Sequence, residues 1–233
     1  MRVHCGTSGF SYKEWKGPFY PDKLANTAML GFYAERLTTV EINNTFYRMP
    51  NAEMLGKWRD QVPDGFRFVI KAPQRITHQA RLADCEDAVT HLWQACTALG
   101  DKLGPILFQL PPYFRKDVER LRAFAAALPD DCRAVFEFRH QSWFDDEVYA
   151  TLRQAGCPLC VADTDDDRQP PLVATADWGY LRLRRSGYDD GELAGWRDRI
   201  AAQPWTEAFV FFKHEDQGAA PRLATQFSAL FAS

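Results

Sequence analysis

The apolar runs of this chain repeatedly end in a charged or amide side chain. VEINNTFY (Val40–Tyr47), FVIKAP (Phe68–Pro73), ILFQLPP (Ile106–Pro112), VFEFRHQSW (Val135–Trp143) and LCVAD (Leu159–Asp163) all do so. Alternate side chains of a strand face opposite sides. In the first run Val40 and Ile42 alternate with Glu41 and Asn43, so the apolar pair belongs under helices and the polar pair faces a common interior. The same alternation turns Lys71 and Val69 inward with Phe68 and Ile70 outward. It turns Gln109 inward, and Val135, Glu137 and Arg139 inward with Phe136 and Phe138 outward. Later runs add Asp163, Arg182, Arg184 and Lys213. That interior set holds three acids and five bases, in a chain of formal charge −3.

Two kinds of chemistry follow. Glu41 and Glu137 are the candidate catalytic residues: two carboxylates facing one pocket serve as general acid and base, or each simply neutralises a neighbouring base. The excess of bases suits an anionic ligand such as a phosphate or carboxylate, or forms a self-neutralising network that fills the interior. The candidate substrate-binding set is Asn43, Lys71, Gln109, Arg139, His140, Trp143, Asp163, Arg182 and Trp15. No cofactor and no intrinsic metal are expected. Of the histidines, only His78, His140 and His214 fall near the ends of the runs, with His4 and His91 placed elsewhere, and a multi-metal site needs more ligands there.

The elements that must position these groups repeat about every 30 residues. Strands are expected to begin near Val3, Thr39, Phe66, Pro105, Arg133, Pro158, Gly179 and Ala208. Amphipathic stripes lie between them: Met54, Leu55, Trp58 and Val62 behind an Asn51 cap; Cys85, Ala88, Val89, Leu92, Cys96 and Leu99 between Asp84 and Gly100; Val118, Leu121, Ala125 and Leu128; Leu193, Trp196 and Ile200 up to Pro204; Leu223, Phe227 and Leu230 opened by Pro221. TDDDRQPPLVATA (Thr164–Ala176) reads as loop. Eight strands alternating with helices predict an α/β fold, a TIM-type (β/α)8 barrel in one domain over residues 1–233, with its site at the C-terminal strand ends. An open dinucleotide-binding sheet would want G-x-G-x-x-G after the first strand, where this chain reads Gly6-Thr7-Ser8-Gly9.

Composition narrows the class. Hydrophobic residues form 46 % and aromatics 14 % of 233 residues, enough for a large core. The slight acidity argues against coating nucleic acid by bulk charge. No apolar run approaches the ~18 residues of a membrane span, and MRVHCGTSGF carries no signal-peptide stretch, so a cytoplasmic location is expected. Six cysteines are read as free thiols, and Cys157-x-x-Cys160 as two buried apolar residues rather than a redox or zinc motif. The first loop interleaves Phe10, Tyr12, Trp15, Phe19 and Tyr20 with Lys13, Lys16 and Lys23, which suits either a plug over one side of the barrel or base stacking.

GTSGFSYKEWKGPFYP, EINNTFYRMP, FRFVIKAPQRITH, GPILFQLPPYF and VFEFRHQSW resemble the strand motifs of the YecE-like family, also called domain of unknown function 72, from Val3 to about Phe227. The resemblance implies a TIM-type barrel and leaves the activity open. FFKHEDQGAAPRLA departs from the form that many members show at strand eight, which bears on Lys213 and His214. The resulting expectation is a barrel that binds, and hydrolyses or isomerises, an anionic phosphate-bearing or sugar-like molecule without intrinsic metal. The alternatives are a nucleic-acid binding or processing protein and a non-catalytic ligand-binding or interaction protein.

Overall fold

Eight parallel strands form one sheet in the order β5-β4-β3-β2-β1-β8-β7-β6. They are β1 (Arg2–Ser8), β2 (Thr39–Ile42), β3 (Arg67–Lys71), β4 (Leu103–Gln109), β5 (Ala134–Glu137), β6 (Val161–Asp163), β7 (Trp178–Leu183) and β8 (Glu207–Phe212). The two edges meet. The Phe136 amide donates to the Pro158 carbonyl at 3.2 Å, and the Cys160 amide to the Phe136 carbonyl at 2.8 Å. This bridge brings β5 against the segment entering β6 and closes the barrel. The structure, a computed structural model, describes residues 1–166, 171–213 and 218–231.

Seven α-helices are described: α1 (Met29–Ala34), α2 (Ala52–Arg59), α3 (Glu86–Cys96), α4 (Val118–Ala126), α5 (Asp146–Gln154), α6 (Asp190–Ala201) and α7 (Ala219–Ala229). Their starts follow from capping chemistry. Side chains of Asn51, Asp117 and Asp145 accept amides of α2, α4 and α5, and Asp189 forms a reciprocal capping box with Glu192 on α6. Asp84 does not cap α3. It lies at φ 46°, and Cys85 takes the cap position without a side-chain bond. The helical path after α3 tightens to a 3-10 turn and breaks at Gly100, φ 54°. The described residues between β6 and β7 hold no helix, as the polar, proline-containing run there requires. Among the described residues no helix is long and apolar enough to cross a membrane.

Strand alternation divides the core in two. Val40, Ile42, Phe68, Ile70, Ile106, Phe108 and Phe136 pack beneath the helices. Val69, Leu107, Val135, Cys160, Trp178, Tyr180, Phe209 and Phe211 fill the barrel itself. The lower end is closed by an ionic plug. His4 Nε2 meets Glu207 at 2.8 Å, Arg133 meets the other Glu207 oxygen at 2.7 Å, and His4 stacks on Phe209. Polar groups are thus confined to the two barrel ends, and the inner apolar layer separates them.

Candidate functional site

The upper interior layer is a continuous chain of hydrogen bonds that crosses the barrel. Arg182 stands at its centre, 1 % exposed. One terminal nitrogen donates to Glu137 Oε2 at 2.6 Å, and the other to Glu41 Oε1 at 2.8 Å. Ser8 Oγ (2.8 Å) and Asn43 Nδ2 (3.0 Å) donate to the same Glu41 oxygen, and the Tyr180 hydroxyl to the other at 2.6 Å. On the far side Glu137 Oε1 accepts from Gln109 Nε2 at 2.7 Å, and Gln109 Oε1 accepts from Lys71 Nζ at 2.7 Å. A carboxylate only accepts, so Glu137 fixes which end of the Gln109 amide faces Lys71.

Local structure explains how Lys71 is held. Thr45 Oγ1 donates to the Lys71 carbonyl at 2.7 Å and pins the 3-10 turn Asn44–Phe46 onto the end of β3. That turn lays the Phe46 ring 4.2 Å from Nζ, a cation–π contact. The His78 ring stands nearly perpendicular to Phe46, centroids 4.8 Å apart. His78 belongs to a π-helical turn, Arg75–Gln79, and Arg81, Leu82 and Asp84 just beyond it take positive φ. Left-handed backbone at three non-glycine residues stores strain in the loop bordering the site.

The electrostatics follow from this geometry. Burial pushes the Glu41 carboxyl up, but the Arg182 guanidinium and bonds from Tyr180, Asn43 and Ser8 outweigh it and hold it at about 2. Glu137 behaves alike: burial opposes ionisation, and Arg182, Arg184, Gln109 and Lys71 bring its carboxyl below the ordinary value. Both acids therefore stay ionised at neutral pH. The Lys71 ammonium is lowered to about 8, by burial first and then by the Arg182 charge, with Glu137 and Glu41 opposing. His78 is lowered by burial and by the charges of Lys71 and Arg139.

Glu41, Asn43, Lys71, Gln109, Glu137 and Arg182 are thus brought together in one network. Arg139 is exposed just beyond β5, and Arg184 is half-buried just beyond β7. Neither makes an ion pair among the described residues. His140 is half-buried, with Nδ1 accepting the Ser142 amide at 3.1 Å, and caps the following turn. Beside the mouth a cleft of about 750 Å³ opens between the first loop and α2, with Phe10, Tyr12, Asn43, Asn44, Met54 and Trp58 among its walls.

Three expected members lie elsewhere. Asp163 faces the helix layer, not the interior: its Oδ2 accepts from Tyr188 at 2.9 Å and from Trp196 of α6 at 3.2 Å. β6 is only three residues long, and its inward position there is Ala162. Trp143 is not a rim residue. It is fully buried, stacked on Phe138 with centroids 4.5 Å apart, and its indole N–H donates to the Phe114 carbonyl. Trp15 is 1 % exposed and packs against Tyr12, Phe19 and Tyr20 in the outer core, while Phe10 and Tyr12 stay partly exposed along the cleft. His214 lies outside the described residues, and Lys213 is half-buried at the end of β8.

Several site groups are not evident from sequence. Tyr180 shares the inward parity of Arg182, two residues on, and Ser8 closes β1 beside Glu41; strand alternation could have found both. Phe46 and His78 carry no such signal, because loop conformation alone brings them to Lys71. The Cys157–Cys160 spacing places the two thiols on opposite faces, Cys157 in the outer core and Cys160 in the inner one. They cannot share one ligand. Among the described residues no three His, Cys, Asp or Glu side chains gather into a metal-binding group.

Comparison with known proteins agrees with the barrel. The chain is 33 % identical over 143 residues, 61 % of its length, to the UPF0759 protein YecE of Escherichia coli (strain K12). It spans half the length of that relative. It is 25 % identical over 231 residues to the UPF0759 protein YunF of Bacillus subtilis (strain 168), covering 92 % of this chain and 79 % of that one. A solved DUF72 family protein from Thermotoga maritima superposes with a TM-score of 0.88 at 27 % identity, over 100 % of both chains. One from Enterococcus faecalis V583 gives 0.83 at 21 % identity, over 99 % of this chain and 96 % of that one, and speaks for the fold alone. The sequence profile described as "Protein of unknown function DUF72" matches residues 4–233. With that match over nearly its whole length, the chain belongs to the DUF72 family.

Proposed function

We propose that the mouth of this barrel binds a small anionic molecule, phosphate-bearing or sugar-like, and carries out hydrolysis or isomerisation on it. One observation carries the reading. Around the network, four cationic groups (Lys71, Arg139, Arg182 and Arg184) stand against two carboxylates, Glu41 and Glu137. Arg182 is taken up by the two acids. Arg139, Arg184 and Lys71 carry the surplus, and an anion bound between them would relieve it. With Asp163 turned outward and Lys213 left aside, the excess of two cations over acids is the one that the strand pattern implied. The neighbouring cleft, with aromatic rings and amides, supports a polyhydroxylated body attached to the anionic group. Glu41 and Glu137, held ionised, orient Arg182 and Gln109 and do not serve as general acids in the resting site.

A second reading keeps nucleic acid as the ligand. Its support is no longer the first loop but Tyr47 and Tyr113, 76 % and 65 % exposed, which follow β2 and β4 and offer open faces for a base.

The test is calorimetry with inorganic phosphate, phosphorylated sugars, nucleotides and a short single strand at low salt. Loss of one charged contact to a bound anion costs roughly 1.5–3 kcal/mol, so Arg184→Ala and Arg139→Ala should each weaken phosphate-ester binding by roughly 10- to 150-fold. Absence of anion binding by the native chain sinks the first reading. A strand bound more tightly than any small phosphate, and released by Tyr47→Ala with Tyr113→Ala, favours the second.

A further inference from the structure

Lys71 differs from every other charged member of the buried network. Glu41, Glu137 and Arg182 each have an ionic partner, although the buried Arg182 Nε finds no hydrogen-bond acceptor among the described residues. Lys71 makes no ion pair among the described residues, and the acceptor its nitrogen meets there is a neutral amide, Gln109 Oε1 at 2.7 Å. An ammonium with three donors uses one on Gln109 and lies against the Phe46 ring. The same arrangement accommodates the neutral amine, with only the Phe46 ring contact favouring the charged form. An amine N–H still donates to Gln109, whose orientation Glu137 fixes, and the nitrogen lone pair is left without a partner among the described residues. Lys71 is also 9 % exposed at the upper end of β3, where the network meets the mouth.

We propose that Lys71 is an imine-forming lysine, whose amine condenses with the carbonyl of a small aldehyde or ketone bearing an anionic group. The proposal rests on the anion reading above for that group and adds the reacting function. The step balances. The Lys71 ammonium and the carbonyl give a protonated imine and water. A nitrogen–carbon bond replaces the carbon–oxygen bond, and the carbonyl oxygen leaves with two protons from the ammonium. The positive charge is conserved, and nothing is oxidised or reduced. Arg139 and Arg184 at the rim supply the hold for the anionic end, and the fixed Gln109 amide keeps the nitrogen aimed at the mouth.

The surroundings favour this chemistry over a merely structural cation. The groups acting on Lys71 are Arg182 and Arg184 from β7 and its end, Glu137 from β5, Glu41 from β2, and the apolar enclosure that includes Phe46. Burial and the two arginines outweigh the two carboxylates and bring the amine to about 8 from the ordinary 10.5. That raises the fraction of reactive amine at neutral pH by roughly 300-fold. An amine so placed is the usual nucleophile for carbonyl substrates.

The experiment is reductive trapping. The full chain is incubated with pyruvate, dihydroxyacetone phosphate or glyceraldehyde 3-phosphate and sodium cyanoborohydride, then read by intact mass and peptide mapping. One covalent adduct is expected, on Lys71, with a rate that reaches half its maximum near pH 8 and falls several-fold when inorganic phosphate is added. Lys71→Arg keeps a cation and should abolish the adduct. Should that variant not fold, peptide mapping of the native chain still locates the modified lysine. Adducts spread over exposed lysines such as Lys57 and Lys23, with none enriched on Lys71, overturn the proposal. Phosphate binding by calorimetry without a Lys71 adduct overturns this inference and leaves the anion reading standing. A Lys71 adduct in a chain that binds no phosphate supports the inference and overturns the anion reading.

Discussion

Replacing Glu41 by glutamine tests whether the buried network holds the barrel together. Glu41 is fully buried and accepts four hydrogen bonds, one from Arg182. Glutamine keeps the shape but removes the charge, and its amide nitrogen must face one of four donors. Arg182 is left buried with Glu137 alone. Breaking one partner from a buried ion pair costs about 3–5 kcal/mol. The displacement of the Glu41 carboxyl from 4.5 to about 2 corresponds to stabilisation on the order of 3 kcal/mol, which agrees with the low end of that range. For a chain of this size that loss lowers Tm by roughly 6–20 °C. The assay is urea unfolding of both chains at several pH values, with unchanged m-values as the check on compactness. Because the folded-state pKa lies below the unfolded one, the stabilisation is present above the ordinary value and lost as pH falls from 4.5 toward about 2. The difference between native and Glu41→Gln must shrink through that window. A difference below about 1 kcal/mol at neutral pH, or one that stays constant down to the acid end of the window, refutes the reasoning.

Two further outcomes follow from the packing. Gly6→Ala should destabilise severely or prevent folding, since an added Cβ would lie 2.0 Å from the Thr39 carbonyl oxygen where β1 and β2 meet; recovery of a stable variant with an unchanged urea midpoint contradicts that contact. Burial raises the Cys157 thiol to about 11 and the Cys160 thiol well above its ordinary value, so both should resist a thiol reagent in the folded chain and react on unfolding. Rapid labelling of either cysteine without loss of structure would count against the buried assignment.

The barrel was legible because β2, β3 and β5 alternate cleanly. Val40 and Ile42 against Glu41, or Phe68 and Ile70 against Lys71, leave one orientation in which apolar groups meet the helices. In β6 that signal is missing. Leu159, Cys160, Val161 and Ala162 are apolar on both faces, so their order carries no parity, and Asp163 was placed on the wrong side. Its partners, Tyr188 and Trp196, come from beyond the next strand and offer no local signal. Two helices were not anticipated. α1 is only six residues long, whereas α5, capped by Asp145 with Val148, Tyr149, Thr151 and Leu152 at helical spacing, carried a stripe that could have been read. In the site, the alternation found the charges but not their pairing. That Arg182 would bridge Glu41 and Glu137, and leave Lys71 on an amide, depends on distances across the barrel. The burial of Trp143 and Trp15 depends on loop paths that spacing does not encode.

The cations left over from this network are proposed to hold an anion at the barrel mouth. A crystal of the chain grown with a tetrahedral oxyanion containing a heavy atom, such as selenate or tungstate, tests that claim directly by anomalous scattering. One strong peak is expected within hydrogen-bond reach of the Arg184 and Arg139 guanidinium groups and facing Lys71 Nζ, weakened by competing inorganic phosphate. Peaks only on surface lysines, with none at the mouth, would contradict it.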